Sequence, residues 1–344
     1  TGVIAEQIIK HNPDVEGLQC SVSVLEELLR RNPDLPDRLD LVHFLVPVAG
    51  RRYLSTFQGE LPCVSTIHHI EPGYVPEAIP INLQADAIMV VAEMWRNELE
   101  KKGARPERIV KVPNGVDTRV FRPPSAPERR ELRESFGFGH DEIVIGFCGK
   151  PARDRGHRKG VDIYITGLKK LAKKYGNVTA AIGGPGWESF LSELEAAGIK
   201  VYWRGFQPMP EDGAPLYQAL DFYWVTSRIE GAPVPLLEAM SSGICCLSTE
   251  VGIAPEIINH GENGYIVQME NADQFAELTY YLINNPEQKK SIGVKARQDI
   301  VSKYDWSQTA VQAQKLYQTA IDHFGKRKQS SGVKDDMRQN NLEH

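Results

Sequence analysis

Short apolar runs recur along the chain, separated by stretches whose apolar positions repeat every three to four residues. Leu39–Leu45, Pro62–Ile67, Ala87–Val91 and Ile109–Val112 are too short for ordinary helices and read as buried strands. A second series follows at Ile143–Phe147, Val178–Ile182, Val201–Tyr202, Phe222–Val225, Cys245–Ser248 and Tyr265–Val267. Between the strands, Val3–Lys10, Met94–Lys102, Val161–Tyr175 and Trp187–Ala197 carry helical periodicity. Apolar strands alternating with amphipathic helices are the pattern of parallel sheets covered on both faces, so the expected class is α/β and doubly wound.

The two strand series are separated by Pro123-Pro124-Ser125-Ala126-Pro127, where three prolines in five residues cannot sustain a ladder or a helix interior. A chain of 344 residues also exceeds the usual size of one core. The expected division is therefore 1–122 and 123–302, followed by a last helix within 303–325 and a polar tail, 326–344, expected to be disordered. Ser307–Phe324 is that helix, and Leu342-Glu343-His344 reads as the start of an expression tag. No strand precedes Val3–Lys10.

Composition narrows the function by exclusion. A formal charge of −5 gives no electrostatic reason to bind nucleic acid. The chain contains no apolar run of the roughly 20 residues that span a bilayer, and it opens on no signal peptide. Five scattered cysteines, Cys20, Cys63, Cys148, Cys245 and Cys246, read as thiols of a reducing cytoplasm. With no Cys-x-x-Cys or His-Glu-x-x-His pattern, no metal site is expected.

The chemistry concentrates in Arg228–Gly243. Glu230 and Glu238 flank seven residues that contain a Gly/Pro-broken turn, and Pro235 suits the first position of a helix that stops at Gly243. Free N–H groups at such a helix start favour a phosphate, and Val234, Leu236 and Leu237 are the candidate donors. An acid beside a phosphate makes a poor salt-bridge partner but accepts sugar hydroxyls well. This constellation suits a sugar diphosphate. Lys150 and Lys159 are cations able to meet the charge on a departing diphosphate, and Arg153, Arg155 or Arg158 lies between them. His68 ends a strand whose C-terminal edge faces the crevice where open α/β sheets bind ligands.

These residues resemble the Glu-x7-Glu motif of retaining glycosyltransferases of family 4, also called group 1, with the GT-B fold. Further segments fall in the same order: Ala85-Asp86-Ala87-Ile88-Met89-Val90-Val91, Val112-Pro113-Asn114-Gly115-Val116-Asp117, Gly146-Phe147-Cys148-Gly149-Lys150 with Lys159-Gly160, Gly261-Glu262-Asn263-Gly264-Tyr265, and Asp305-Trp306-Ser307. The resemblance implies two Rossmann-like domains facing a cleft, acceptor side first and nucleotide-sugar side second, with a C-terminal helix crossing back. It implies that Glu230 binds hydroxyls of the transferred sugar, Glu238 the ribose, and His68 the transferred sugar and phosphate. Lys150 and Lys159 hold the diphosphate, Gly231 lies in the phosphate turn, and Phe206 borders the base. The first strand of the resembled fold is missing, so the chain is expected to begin inside a glycine loop, with Gly2 its remaining glycine.

The implied function is metal-independent, retaining transfer of a sugar from a nucleoside-diphosphate sugar, with the leaving phosphate assisting same-face attack. The donor is the co-substrate, and no further cofactor is expected. The partners expected are that donor and an acceptor that is a sugar, a lipid-linked molecule or a small molecule, with room for peripheral membrane contact. The alternatives are a nucleotide-sugar epimerase of the same fold and a non-catalytic nucleotide-sugar-binding protein.

Overall fold

The structure, a computed structural model, describes residues 2–17, 20–32, 34–46, 61–70, 83–151, 158–205 and 210–340. The chain folds as two compact units, 1–114 with 306–344, and 115–305. In chain order the first contributes α1 (Gly2–Lys10), α2 (Val22–Arg31), β1 (Val42–Phe44), β2 (Cys63–Ile67), β3 (Ala87–Val90), α3 (Glu93–Lys101) and β4 (Ile109–Lys111). The second contributes α4 (Ala126–Ser135), β5 (Ile143–Cys148), α5 (Val161–Tyr175), β6 (Val178–Gly183), α6 (Glu188–Ala196), β7 (Lys200–Arg204), α7 (Pro210–Ala219) and β8 (Phe222–Val225). It continues with α8 (Val234–Ser241), β9 (Cys245–Thr249), α9 (Ala254–Ile257), β10 (Tyr265–Val267), α10 (Ala272–Ile283) and α11 (Pro286–Lys303). The chain then returns to the first unit as α12 (Trp306–Asn340).

In the first unit four parallel strands lie in the order β1-β2-β3-β4, with Val64 opposite Ala87 and Ile88 opposite Ile109. Every residue of β2 and β3 is buried, as continuous apolar runs require. The acid at the entrance of β3 fixes α12. Asp86, fully buried, accepts from the Cys63 amide at 3.1 Å and from Arg327 Nε and Nη2 at 3.2 and 3.1 Å, while its carbonyl meets His323 Nδ1 at 3.0 Å. A buried carboxylate must be paired, and here the pairing is what docks the helix.

The last helix does not end at Phe324. It continues to Asn340, where a disordered tail was expected. Arg327, pinned to Asp86, holds the turn beyond Phe324, and the residues after it contain no proline to stop the helix. Strand β1 is likewise shorter than the apolar run from Leu39 to Leu45.

The second unit has six parallel strands in the order β10-β9-β8-β5-β6-β7. Successive strands therefore run outward from β5 in one direction and from β8 in the other, and the direction reverses between these two neighbours. Phe147, Tyr164, Trp187, Trp224 and Phe275 build an aromatic core over this reversal, with ring centroids 4.8 to 5.9 Å apart along the chain of contacts. Buried polar tips are satisfied: Tyr164 donates to Ile145 O at 2.9 Å and Trp224 Nε1 to Thr279 Oγ1 at 3.1 Å.

Residues 115–122, expected with the first unit, belong to the second. Val116 N–H donates to Tyr304 O at 2.9 Å, and Thr118 Oγ1 donates to Asp305 at 2.7 Å. Arg297 donates to the carbonyls of Phe121 and Thr118, each at 2.7 Å. These bonds outweigh the proline run that follows as a marker of the boundary.

Candidate functional site at the ends of β5 and β8

The strand reversal between β5 and β8 is the place where an open α/β sheet leaves a crevice beyond its carboxyl ends. A hollow lies there, lined by Phe147 and Cys148 of β5, Lys159, Tyr223 to Val225 of β8, Ser227, Glu230, Pro233 and Pro235. Within it Lys159 Nζ donates to Glu230 Oε1 at 2.5 Å, and Ser227 Oγ donates to the same oxygen at 2.8 Å.

Both partners are placed by backbone that only glycine permits. Gly160 precedes α5 with φ +61°, and a Cβ there would sit 1.8 Å from Thr226 O. Thr226 Oγ1 donates to Gly160 O at 2.8 Å, and Arg228 N–H to Arg158 O at 2.7 Å. The loop bearing Lys159 is thus strapped to the loop bearing Glu230. On the other side Gly252, φ +52°, brings its backbone so close to Gly231 that a Cβ would lie 2.0 Å from Gly231 O, and Ile253 N–H donates to that oxygen at 3.1 Å. Thr249 Oγ1 donates to Ser227 O at 2.5 Å. The acid loop is held from both flanks.

Helix α8 begins one residue earlier than expected, at Val234, with Pro233 capping it and Pro235 second. Two of the first positions therefore have no N–H. Leu236 N–H bonds back to Pro233 O at 2.9 Å, which takes it out of the set of anion donors. Val234 is left as the N–H of the opening turn, so the cationic side chains carry more of any anion binding than the helix start does. Leu236 and Leu237 are fully buried and serve as core.

Glu238, on the second turn of α8, faces Tyr217 of α7 and Cys148 of β5. Burial pushes its carboxyl up to about 7, opposed by the Tyr217 hydroxyl. Burial also raises the Cys148 thiol to about 11, with Glu238 adding to it. Cys148 N–H donates to Tyr223 Oη at 3.1 Å. The result is a low-dielectric floor with one carboxyl poised to titrate near neutrality.

The structure thus brings Lys159, Glu230, Gly231, Val234 and Glu238 to one end of the second sheet. Lys150 follows β5 at that end, exposed, its Cγ 3.8 Å from where a Cβ on Gly186 would stand. Gly184, φ +112°, meets the Gly149 carbonyl closely, and Trp187 Nε1 donates to that carbonyl at 2.8 Å, which fixes the Lys150 turn. His68 and Gly2 belong to the first unit. His68 follows β2, with Nε2 3.1 Å from Leu45 O, and burial lowers its imidazole to about 4. Gly2 is the first residue of α1 and so lies in a helix, not in a loop. Phe206, Arg153 and Arg155 lie outside the described residues, as do the loops 47–53 and 71–80. Arg158 is described, and its carbonyl holds Arg228.

Four contributors escaped the sequence reading. Ser227 sits within the same loop as Glu230 and could have been flagged as a hydroxyl three residues from it. Cys148 was read only as a buried thiol. Tyr217 and Tyr223 meet Cys148 and Glu238 through tertiary contacts between separate elements, which leave no local pattern.

Residues 128–299 match the family "Glycosyl transferases group 1", and residues 9–120 match "Glycosyltransferase Family 4". A D-inositol 3-phosphate glycosyltransferase of Thermobispora bispora is 27% identical over 90% of this chain and 77% of its own. An N-acetyl-alpha-D-glucosaminyl L-malate synthase of Bacillus anthracis is 23% identical over 82% of this chain and 75% of its own. Another curated relative, a D-inositol 3-phosphate glycosyltransferase of Corynebacterium aurimucosum, is matched over only 58% of its length. Among solved structures, Anabaena HepE in complex with UDP superposes with a TM-score of 0.73 at 20% identity, over 86% of this chain and 83% of that one. The shared fold is GT-B, and with the group 1 match spanning half the chain and the Glu230/Glu238 pair seated at the strand reversal, the chain belongs to the group 1, family 4 glycosyltransferases.

Proposed function

We propose that the protein transfers a sugar from a nucleoside-diphosphate sugar to an acceptor hydroxyl with retention of configuration and without a metal. The observation that carries this reading is the Lys159–Glu230–Ser227 cluster near half-buried Glu238 at the β5/β8 crevice. Lys159, with Lys150 at the end of β5, offers fixed positive charge to the diphosphate, whose charge grows as the sugar–oxygen bond breaks. Val234 N–H adds one donor. Glu238 accepts hydroxyls of the ribose and Glu230 those of the transferred sugar.

In this mechanism the acceptor attacks from the face the phosphate leaves, and the phosphate oxygen takes the acceptor proton. No protein nucleophile is then required. When the donor arrives, its phosphate competes with Glu230 for the Lys159 ammonium, which frees the carboxylate for sugar hydroxyls. HepE, a neighbour in fold, binds UDP, which makes uridine donors the first to try, with guanosine donors second. Relatives named for D-inositol 3-phosphate and L-malate favour testing small polar hydroxyl compounds as acceptors, alongside sugars and lipid-linked molecules. The cytoplasm supplies such donors.

The test is turnover of UDP- and GDP-sugars, with and without EDTA, and with the anomeric configuration of the product read by proton NMR. Release of nucleoside diphosphate with an α-linked product from an α-donor in EDTA supports the reading. An inverted product, a strict metal requirement, or an epimerised donor still attached to its nucleotide overturns it. Binding without turnover of any donor identifies a sugar-nucleotide binder instead.

A further inference from the structure

Ser227 takes no part in the mechanism above, yet its hydroxyl is bonded directly to the acid that the donor reading gives to the transferred sugar. Ser227 Oγ donates to Glu230 Oε1 at 2.8 Å, the same oxygen that accepts from Lys159 Nζ at 2.5 Å. The serine is 2% exposed and the glutamate 6%, so water has little room to compete for this bond. The backbone beneath the hydroxyl is fixed without the acid. Thr249, fully buried at the end of β9, donates through Oγ1 to Ser227 O at 2.5 Å. One residue earlier, Thr226 Oγ1 donates to Gly160 O at 2.8 Å. The hydroxyl therefore rides on backbone set by the sheet, whereas Lys159 reaches the same oxygen from a flexible four-carbon stem.

We propose that Ser227 is a positioning residue that keeps Glu230 aimed at the transferred sugar once Lys159 has turned to the diphosphate. This rests on the donor reading of the site. The two groups on Oε1 respond differently to a bound phosphate. An ammonium is drawn to the more highly charged anion, and its stem lets it move. A hydroxyl on a single carbon is neutral and stays where the backbone puts it. The carboxylate remains buried throughout, and a buried carboxylate stripped of its donors is costly. Ser227 supplies a bond that outlasts the ion pair. The acceptor position that Lys159 gives up lies beside that bond, and a sugar hydroxyl takes it. Holding the side chain in place beforehand also removes the entropy cost of ordering it when the sugar arrives.

The experiment measures calorimetric binding of UDP-glucose, GDP-mannose, UDP and GDP to the parent, S227A, E230A and the double variant S227A/E230A. In S227A the Kd of the sugar nucleotide that the parent binds rises about tenfold, the loss typical of one hydrogen bond to a charged group. Its nucleoside diphosphate, which lacks the sugar that Glu230 holds, binds S227A and parent alike. In the E230A background the same serine change makes no further difference, because the hydroxyl has lost the carboxylate it orients. Should S227A not fold, S227C takes its place, with a thiol that is a weak donor. If the serine variant weakens sugar nucleotide and nucleoside diphosphate equally, or keeps its full effect without Glu230, Ser227 only shapes the loop and the proposal falls. It falls too if the variant binds both as the parent does, while loss of the sugar nucleotide in E230A leaves the donor reading standing. If the parent binds neither sugar nucleotide, or E230A binds it as well as the parent, the donor reading itself fails.

Discussion

Lys159 Nζ lies 2.5 Å from Glu230 Oε1, and the two side chains keep only 20% and 8% of their surface in contact with solvent. An ion pair this far out of water is costly to halve, because the remaining charge stays buried. Lys159→Met leaves the Glu230 carboxylate with Ser227 and is expected to cost about 2 to 3 kcal/mol in urea denaturation. Glu230→Gln leaves the more exposed ammonium and costs about 1 kcal/mol. Both are expected to reduce donor turnover by about 100-fold or more. Equal stability of all three proteins would mean that the pair is solvated and contributes nothing.

Gly160 and Gly252 bring two pairs of loops into backbone contact. Ala at either position adds a methyl less than 2.1 Å from a carbonyl oxygen, in a left-handed conformation. Each is expected to lose more than about 3 kcal/mol or to fail to fold. Gly198, φ +74° with open space around it, is the control, and Gly198→Ala is expected to cost about 1 kcal/mol. Thermal melts of the three variants check the ranking.

Glu238 sets a pH dependence whose sign is fixed by burial. The ordinary carboxyl titrates at 4.5 and this one at about 7, so the folded state holds the proton more tightly than the unfolded chain. Its contribution to stability is fully present below 4.5 and is lost as pH rises through 7. Glu238→Gln has no such loss and is expected to be more stable than the parent by about 1 to 3 kcal/mol at pH 8, with little difference at pH 4. Its affinity for nucleoside diphosphate falls all the same. A variant less stable at both pH values would contradict this.

Two histidines of the first unit act in the opposite direction. Burial lowers His43 and His68 to about 4, His43 being further depressed by His68. His43 is bonded to Thr66 Oγ1 at 2.7 Å and Tyr317 Oη at 3.2 Å. The stability of their neutral forms is present above 6.5 and lost as pH falls toward 4. Unfolding at pH 5 is expected to take up about one proton fewer in His43→Gln than in the parent, read from the slope of unfolding free energy against pH.

The strands were legible because each is a buried apolar run, and the acid pair was legible because a proline-broken loop must carry it. The local direction of α8 was not: whether Pro233 or Pro235 opens the helix depends on where Leu236 N–H finds its acceptor. The domain boundary was misplaced for a similar reason, since the prolines at 123 and 124 are visible in sequence while the grip of Arg297 on Phe121 and Thr118 is a contact across more than a hundred residues. The approach of Tyr217 on α7 to Glu238 on α8 is a contact between separate elements, and neither residue has a sequence neighbour that announces it.

Placing the donor at the β5/β8 crevice is tested most directly by thermal shift with UDP and GDP, using the parent and Lys159→Met. One of the two nucleotides is expected to raise the parent's melting temperature in a concentration-dependent way, since only the folded state binds it, and to leave Lys159→Met nearly unmoved. Equal shifts in both proteins, or none in the parent at millimolar nucleotide, would place the donor elsewhere.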